Sequence, residues 1–162
     1  MKKLLTDSQI DDVHGQIQDL PEYAGARSIL VNSDPNLAKI ADRMRKDGKQ
    51  IYELSDRTVY RPDGKPDSFR SISSRSYFDI VMTGCVSHGR TRAEIGRACI
   101  NRRIEGASHP RFRGQLRSCI VAIGTENRAR HLPFGRSILV DHVIVPGGGT
   151  RCAQGGGNNT QN

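Results

Sequence analysis

The chain has 162 residues, enough for one domain that buries about two-thirds of the surface exposed by its unfolded form. It contains no apolar run near the roughly 20 residues that a membrane-spanning helix requires, and its N-terminus becomes polar too soon for a signal peptide. The four scattered cysteines lack the close spacing of a disulfide framework. We therefore predict a cytoplasmic protein with no membrane association.

The net charge of +8 is concentrated in one third of the chain. Between Cys85 and Arg136 there are eleven arginines and three glutamates, and 11 − 3 = +8, whereas the remaining fourteen basic and fourteen acidic residues cancel. Arginine presents a planar fork that matches phosphate and carboxylate groups bidentately. The charge distribution therefore predicts a surface for an anionic ligand.

The N-terminal third predicts two helices with a strand between them. Thr6–Leu20 has apolar residues on one helical face and is ended by Pro21. Ala26–Asn32 has the composition of a buried strand. Asp34 and Pro35 are typical of the start of a second helix, which Gly48 should end.

The next segment predicts short strands and turns. Gln50–Leu54 and Thr58–Tyr60 have strand composition, and the Asp-Gly pair within Arg61–Asp67 indicates a turn. The serine-rich Ser68–Ser76 is interpreted as either a mobile loop or an edge strand.

The central segment predicts a strand, a glycine-flanked loop and a helix. Phe78–Met82 is apolar, and the loop runs from Gly84 to Gly89. Thr91 and Glu94 have the spacing of a capping box, so we expect a helix from Thr91 to about Ile104. Arginines 90 and 92 would then lie at the positive end of that helix, which favours anions.

The last part of the chain predicts two strands, Gln115–Ile123 and Arg136–Val145, each preceded by a basic loop. Phe112 lies between arginines in the first loop, and Phe134 lies in the second. Rings among arginines suit stacking on bases with phosphate contact, although both rings could equally pack beneath the loops. The Gly- and Asn-rich residues 147–162 predict a disordered tail.

Together these elements predict a single α+β domain over residues 1–146. It would contain two N-terminal helices, a mostly antiparallel sheet of about four to six strands, and one central Arg-rich helix packed on the sheet.

The loop from Gly84 to Thr91 also matches the phosphate-binding P-loop pattern, except that Arg90 stands where lysine belongs. A guanidinium does not fit between phosphates as the compact ammonium does, which argues against triphosphate hydrolysis. The pattern fixes few positions, and we do not interpret it as a P-loop enzyme.

Two further chemistries use residues of the same region. Cys85, His88, Cys99 and His109 are residue types that zinc accepts, but only the first two have suitable spacing, and core cysteines explain the rest, so no metal is predicted. His88 and His131 lie in basic loops, where neighbouring cations favour the neutral imidazole that acts as a base. They are the candidate catalytic residues of an alternative, a small metal-independent nuclease.

The preferred interpretation is a non-catalytic binding protein for phosphate-bearing ligands, with nucleic acid first and a nucleotide second. No cofactor is expected. An interaction or inhibitor protein that docks its Arg-rich face on an acidic protein partner is the other alternative. The candidate ligand-binding residues lie in the central loop and the two late basic loops: Ser87, His88, Gly89, Arg90, Thr91, Arg92, Arg111, Phe112, Arg113, Arg128, Arg130 and Phe134.

Overall fold

The computed structural model describes residues 3–75, 78–94, 118–126, 128–132, 137–148 and 151–152. The helices are α1 Asp7–Gln18, α2 Pro35–Lys46 and α3 Phe69–Arg75. The strands are β1 Ser28–Asn32, β2 Gln50–Ser55, β3 Thr58–Tyr60, β4 Pro66–Ser68, β5 Ile80–Gly84, β6 Ser87–His88, β7 Arg92–Glu94, β8 Cys119–Ile123, β9 Ile138–Leu139, β10 His142–Ile144 and β11 Arg151–Cys152.

Eight of these strands form one sheet in the order β11-β10-β8-β5-β1-β2-β3-β4. The centre of this sheet is parallel and consists of the five strands β10, β8, β5, β1 and β2. The strands at its margins, β11 on one side and β3 and β4 on the other, pair antiparallel. The prediction of a mixed helix-and-sheet domain is confirmed, but the mostly antiparallel sheet of four to six strands is only partly right: the main sheet has eight strands with a parallel centre, and antiparallel pairing is confined to its margins and to a second, three-stranded sheet. An α/β arrangement explains why β5 is buried at every position, because helices and loops cover both faces of a parallel sheet.

The two faces of the sheet carry separate apolar layers. Helices α1 and α2 pack on one face, where Ile10, Ile40 and Met82 belong to one buried cluster. Helix α3 and a small antiparallel sheet, β6-β7-β9, pack on the other face, where Ile72 and Ala93 belong to a second cluster. Strand residues alternate between these clusters, as the twofold period of a strand requires.

The two N-terminal helices confirm the sequence prediction. Thr6 caps α1 by accepting a hydrogen bond from the Gln9 amide at 3.1 Å, and the Gln9 side chain accepts one from the Thr6 amide at 3.0 Å. Asp34 caps α2, with Pro35 in its first turn. These caps involve residues two or three positions apart, so the signal is fully contained in the local sequence.

The predicted helix from Thr91 is wrong over the residues described. Arg92–Glu94 form β7, which pairs with β6 on one side and β9 on the other. The Glu94 carboxylate accepts a hydrogen bond from the Ser87 hydroxyl at 2.9 Å instead of closing a capping box. Residues 95–104 of the predicted Arg-rich helix lie outside the described part of the chain.

Three other segments differ from prediction. Ser68–Ser76, expected as a loop or an edge strand, ends β4 and then forms α3 as far as Arg75. The single strand expected over Arg136–Val145 is two short strands in different sheets, β9 and β10. The predicted disordered tail includes Arg151–Cys152, which pair with β10 as β11. None of the helices in the described part of the chain combines the length and apolar character needed to cross a bilayer.

Candidate functional site

The carboxyl edge of the parallel strands is the candidate functional site. Taken in chain order, the five parallel strands have the spatial order 2-1-3-4-5, with the chain reversing its direction of growth between β1 and β5. Ligands of open α/β sheets bind outside the carboxyl ends of the strands at such a switch point. The residues that end β1 and β5, and the loops after β5 and β8, are therefore the ones that a ligand would meet.

A buried polar pair joins the carboxyl ends of β1 and β5. The Asn32 side-chain amide donates to the Thr83 hydroxyl at 3.3 Å, and that hydroxyl donates to the carbonyl of Gly84 at 3.0 Å. Thr83 is completely buried and Asn32 is 8% exposed. Hydrogen bonding offsets the cost of burying these polar groups, and the pair lies at the switch point, where ligands of open α/β sheets bind.

His88 connects the loop after β5 to the loop after β8. Its Nε2 lies 2.9 Å from the Glu126 carbonyl oxygen, and its Nδ1 lies 3.2 Å from the Gly89 carbonyl oxygen. The Arg130 amide donates to the His88 carbonyl at 2.7 Å. The ring is buried and surrounded by backbone, so this histidine holds the two loops together.

Gly89 allows the two loops to approach closely. A Cβ atom at this position would lie 2.8 Å from the Arg130 carbonyl oxygen, closer than real Cβ contacts occur. The contact is with backbone, which cannot rotate away as a side chain can. The loop therefore requires glycine here for packing.

The structure separates the predicted ligand arginines into two groups. Arg92 is committed to the fold, because its Nε donates to the Ser137 hydroxyl at 2.7 Å and an Nη donates to the Ser137 carbonyl at 2.6 Å. Arg90, Arg128 and Arg130 are exposed on the two loops that His88 joins. We refer to Asn32, Thr83, Arg90, Arg128 and Arg130 as the carboxyl-edge site.

The remaining predicted site residues have varied placements. The Ser87 hydroxyl donates a hydrogen bond to the Glu94 carboxylate. The Thr91 side chain is exposed, and the Thr91 carbonyl accepts a hydrogen bond from the Val140 amide at 2.9 Å. Of the two histidines of the nuclease alternative, His88 is buried and His131 is exposed. Four predicted ligand residues lie outside the described residues: Arg111, Phe112, Arg113 and Phe134.

The described residues do not form a P-loop, and only two of the four residues considered as zinc ligands, for which no metal was predicted, are described. A P-loop opens a helix at its final Ser/Thr, whereas Thr91 precedes β7. Cys85 is buried and its thiol donates to the Ile123 carbonyl at 3.5 Å, while Cys99 and His109 lie outside the described residues. Within the part of the chain that is described, the residues that could hold a metal are Glu22, Cys119 and His142, at the opposite edge of the sheet.

Sequence reasoning missed Asn32 and Thr83. Each is a polar residue at the end of an apolar strand, and this signal was available in the runs ending at Asn32 and Gly84. It becomes informative only once the strands are known to be parallel, because only then do both carboxyl ends meet at one edge.

No protein-family model matches the sequence, and no curated protein matches it. Among solved structures, the chain is similar to the NMR structure of 5,10-methenyltetrahydrofolate synthetase from Aquifex aeolicus, with a TM-score of 0.61 at 12% sequence identity. The match covers 98% of this chain and 89% of that chain. At this identity the likeness shows a shared fold, and it extends along almost the whole chain.

The prediction of a non-catalytic nucleic-acid or nucleotide-binding protein is corrected by these findings. Its anion site required a helix N-terminus at Thr91, where the structure has a strand. The protein with the similar fold is an enzyme named for a folate product. Neither the nuclease nor the acidic-partner alternative finds support in that comparison.

Proposed function

We propose that this protein binds a tetrahydrofolate derivative at the carboxyl-edge site and acts on it as an enzyme. The observation that carries the proposal is the buried Asn32–Thr83 pair at the switch point. The similar fold of 5,10-methenyltetrahydrofolate synthetase supports the choice of ligand class.

The chemistry of a folate suits the groups at this edge. A tetrahydrofolate carries a fused ring with several hydrogen-bonding atoms at one end and the carboxylates of a glutamate at the other. The Asn32 amide, which is 8% exposed and held in place by the buried Thr83 hydroxyl, is a polar group that can orient such a ring. Exposed guanidinium groups such as that of Arg130 bind carboxylates bidentately. A ligand that extends from the switch point to the loop after β8 would contact the Asn32 amide at one end and the Arg130 guanidinium at the other.

Binding at this edge would also give a role to three exposed arginines. The side chains of Arg90, Arg128 and Arg130 form no hydrogen bond or ion pair with another described residue. Repulsion among basic side chains on the same two loops destabilises the folded state. An anionic ligand removes that repulsion, so bound folate should stabilise the protein.

The test is calorimetric titration of the purified chain with 5,10-methenyltetrahydrofolate and with tetrahydrofolate. Wild-type protein should bind at least one of them, and Arg130→Ala should weaken the affinity about tenfold, equivalent to about 1.4 kcal/mol. Arg27→Ala is the matched control, since Arg27 is exposed and lies just before β1 at the opposite edge. It removes the same charge and should leave the affinity unchanged.

Two results would overturn the proposal: wild-type protein that binds neither compound, or equal losses in Arg130→Ala and Arg27→Ala. The catalytic part is tested separately by following 5,10-methenyltetrahydrofolate through its own absorbance in the presence of the protein. Binding without turnover under any supplied co-substrate would contradict the enzyme assignment while retaining the site.

A further inference from the structure

Three metal-binding residue types meet at the amino edge of the sheet. Glu22 lies in the loop after α1, Cys119 is the first residue of β8, and His142 is the first residue of β10. One potential ligand atom from each side chain lies within 4.8 Å of the other two. We refer to these three residues as the amino-edge cluster.

The fold itself brings the cluster together. β8 and β10 are adjacent and parallel, with His142 paired to Val121. Cys119 lies two residues before Val121 and therefore on the same face of the sheet. Both side chains lie on the face covered by α1 and α2, where Cys119 packs against the apolar cluster. The loop that follows α1 delivers Glu22 to this position.

The three side chains of the amino-edge cluster lie close together but differ in their exposure to solvent. His142 Nε2 lies 3.0 Å from each carboxylate oxygen of Glu22, and the Cys119 sulfur lies within 4.8 Å of a ligand atom of each of these two residues. His142 is 4% exposed, and its Nδ1 is buried without a hydrogen-bond partner among the described residues. Glu22 is 41% exposed, so one side of the cluster is open to solvent.

The loop that carries Glu22 is anchored by hydrogen bonds just after this residue. Lys49 Nζ donates to the Tyr23 carbonyl at 2.6 Å and to the Ala26 carbonyl at 2.8 Å. The Tyr23 hydroxyl donates to Asp47 at 2.7 Å. Ligands held on a preorganised backbone bind a metal without the entropic cost of ordering a loop.

We propose that Glu22, Cys119 and His142 bind a zinc ion. Thiolate, imidazole and carboxylate are the three ligand types that zinc uses in proteins, at about 2.0–2.3 Å. In a tetrahedral site these bond lengths place the nitrogen and oxygen ligands about 3.3 Å apart, close to the observed His142–Glu22 separation. The Cys119 thiol loses its proton to solvent when its sulfur binds the metal. Water completes the fourth position on the open side.

This site lies at the opposite end of the strands from the carboxyl-edge site and does not depend on the proposed folate activity. The metal joins the α1–β1 loop to the starts of two core strands, so its consequence is stabilisation of the fold. A ligand that binds only the native state raises the melting temperature by mass action.

The first experiment titrates chelator-treated protein with cobalt(II), whose bond to a thiolate produces a near-ultraviolet charge-transfer absorption, and then displaces it with zinc. Wild-type protein should develop the absorption with one equivalent of cobalt. Cys119→Ser should abolish it, whereas Cys85→Ala, which removes a buried thiol on the other face of the sheet, should retain it. Absence of the absorption in wild-type protein, or its persistence in Cys119→Ser, overturns the proposal.

The second experiment uses Glu22→Gln, because Glu22 is partly exposed and its replacement leaves the buried residues in place. Loss of a direct ligand should weaken zinc binding by more than the roughly 10–100-fold that loss of an outer-shell partner costs. Zinc should raise the melting temperature of wild-type protein and not that of Glu22→Gln. Equal zinc-induced shifts in both proteins would assign the metal to another place and refute this site.

Discussion

Charged side chains at the two edges of the parallel sheet differ in whether they have hydrogen-bond partners. At the amino edge, two acids are held by nearby donors: Asp79 accepts from the Arg27 amide at 2.7 Å, and Asp47 accepts from the Tyr23 hydroxyl at 2.7 Å. At the carboxyl edge, Arg90, Arg128 and Arg130 are exposed and have no side-chain partner among the described residues. Asp79 and Asp47 therefore help to maintain the fold, whereas the three arginines are exposed at the proposed ligand site.

Both edges are formed by the same strands. The difference in charge pairing follows from the segments that connect to the amino and carboxyl ends of these strands. The amino ends receive the chain from α1 and α2, so capping and loop anchoring occupy the polar groups there. The carboxyl ends are followed by the loops that diverge at the switch point, and binding groups in open α/β sheets are concentrated on such loops. Substitutions at the two edges should therefore separate effects on stability from effects on binding.

The largest effect is expected at Gly89. Gly89→Ala places a Cβ 2.8 Å from the Arg130 carbonyl oxygen, so the loops after β5 and β8 must separate. We expect a loss of about 3 kcal/mol in the free energy of unfolding, the upper end of the usual cost of overpacking. Folate affinity should fall as well, because Arg130 moves. Urea denaturation followed by circular dichroism measures the first effect.

The matched control lies at the other edge. Gly25 precedes β1, and a Cβ atom added there would have open space around it, with no atom within 4 Å. Gly25→Ala should therefore leave both the free energy of unfolding and folate affinity nearly unchanged. A similar loss of stability in the two variants would show that the close approach at Gly89 has no special role.

An intermediate effect is expected at the buried polar pair. Thr83→Val keeps the side-chain shape but removes the hydroxyl that accepts the Asn32 amide. Leaving that buried donor unpaired should cost about 2 kcal/mol of stability. Thermal and urea unfolding of the single variant measure this cost.

The double variant Asn32→Leu/Thr83→Val sharpens the same test. Replacing both partners by apolar groups can be nearly neutral for stability, so much of the loss should be recovered. Folate binding should be weak in the double variant, because the Asn32 amide proposed to orient the ring is absent. Recovery of binding together with stability would show that the pair is structural and would remove it from the carboxyl-edge site.

The smallest effect is expected at Asp47, and it depends on pH. Burial raises the pKa of this carboxyl, but hydrogen bonds from Tyr23, His14 and Gln18 outweigh burial and hold the pKa below its usual value of 3.8. A carboxyl with a lowered folded pKa stabilises the protein above its unfolded pKa and loses that contribution as pH falls through the folded pKa. Asp47→Asn should cost about 1 kcal/mol at neutral pH.

The difference in unfolding free energy between wild type and Asp47→Asn should shrink as pH falls below 3.8. Asp42→Asn serves as the control, since its carboxylate is 71% exposed and pairs only with Arg45 among the described residues. Its effect should be small across the whole range. A difference for Asp47→Asn that stays constant down to acidic pH would contradict the assigned role of the carboxylate.

How much the sequence determined depends on how far apart the interacting residues are. Thr6 with Gln9 and Asp34 with Leu37 lie three positions apart, and the helices they cap were predicted correctly. The turn at Gly64, where φ is +84°, was also predicted, because Asp-Gly specifies it locally. The concentration of arginine after Cys85 was likewise evident from composition alone.

Only the tertiary structure decided the rest, because its interactions join distant segments. Thr91 and Glu94 have the spacing of a cap, but pairing with β6 and β9 satisfied the backbone and buried Ala93 instead. An apolar run has the same composition in a parallel or an antiparallel strand. Its direction relative to neighbouring strands is therefore decided by the helices and loops that pack on the sheet. Asn32 meets Thr83 across 51 positions, and Glu22 meets His142 across 120. No local pattern reports such contacts, since they exist only after the strands have been ordered in the sheet.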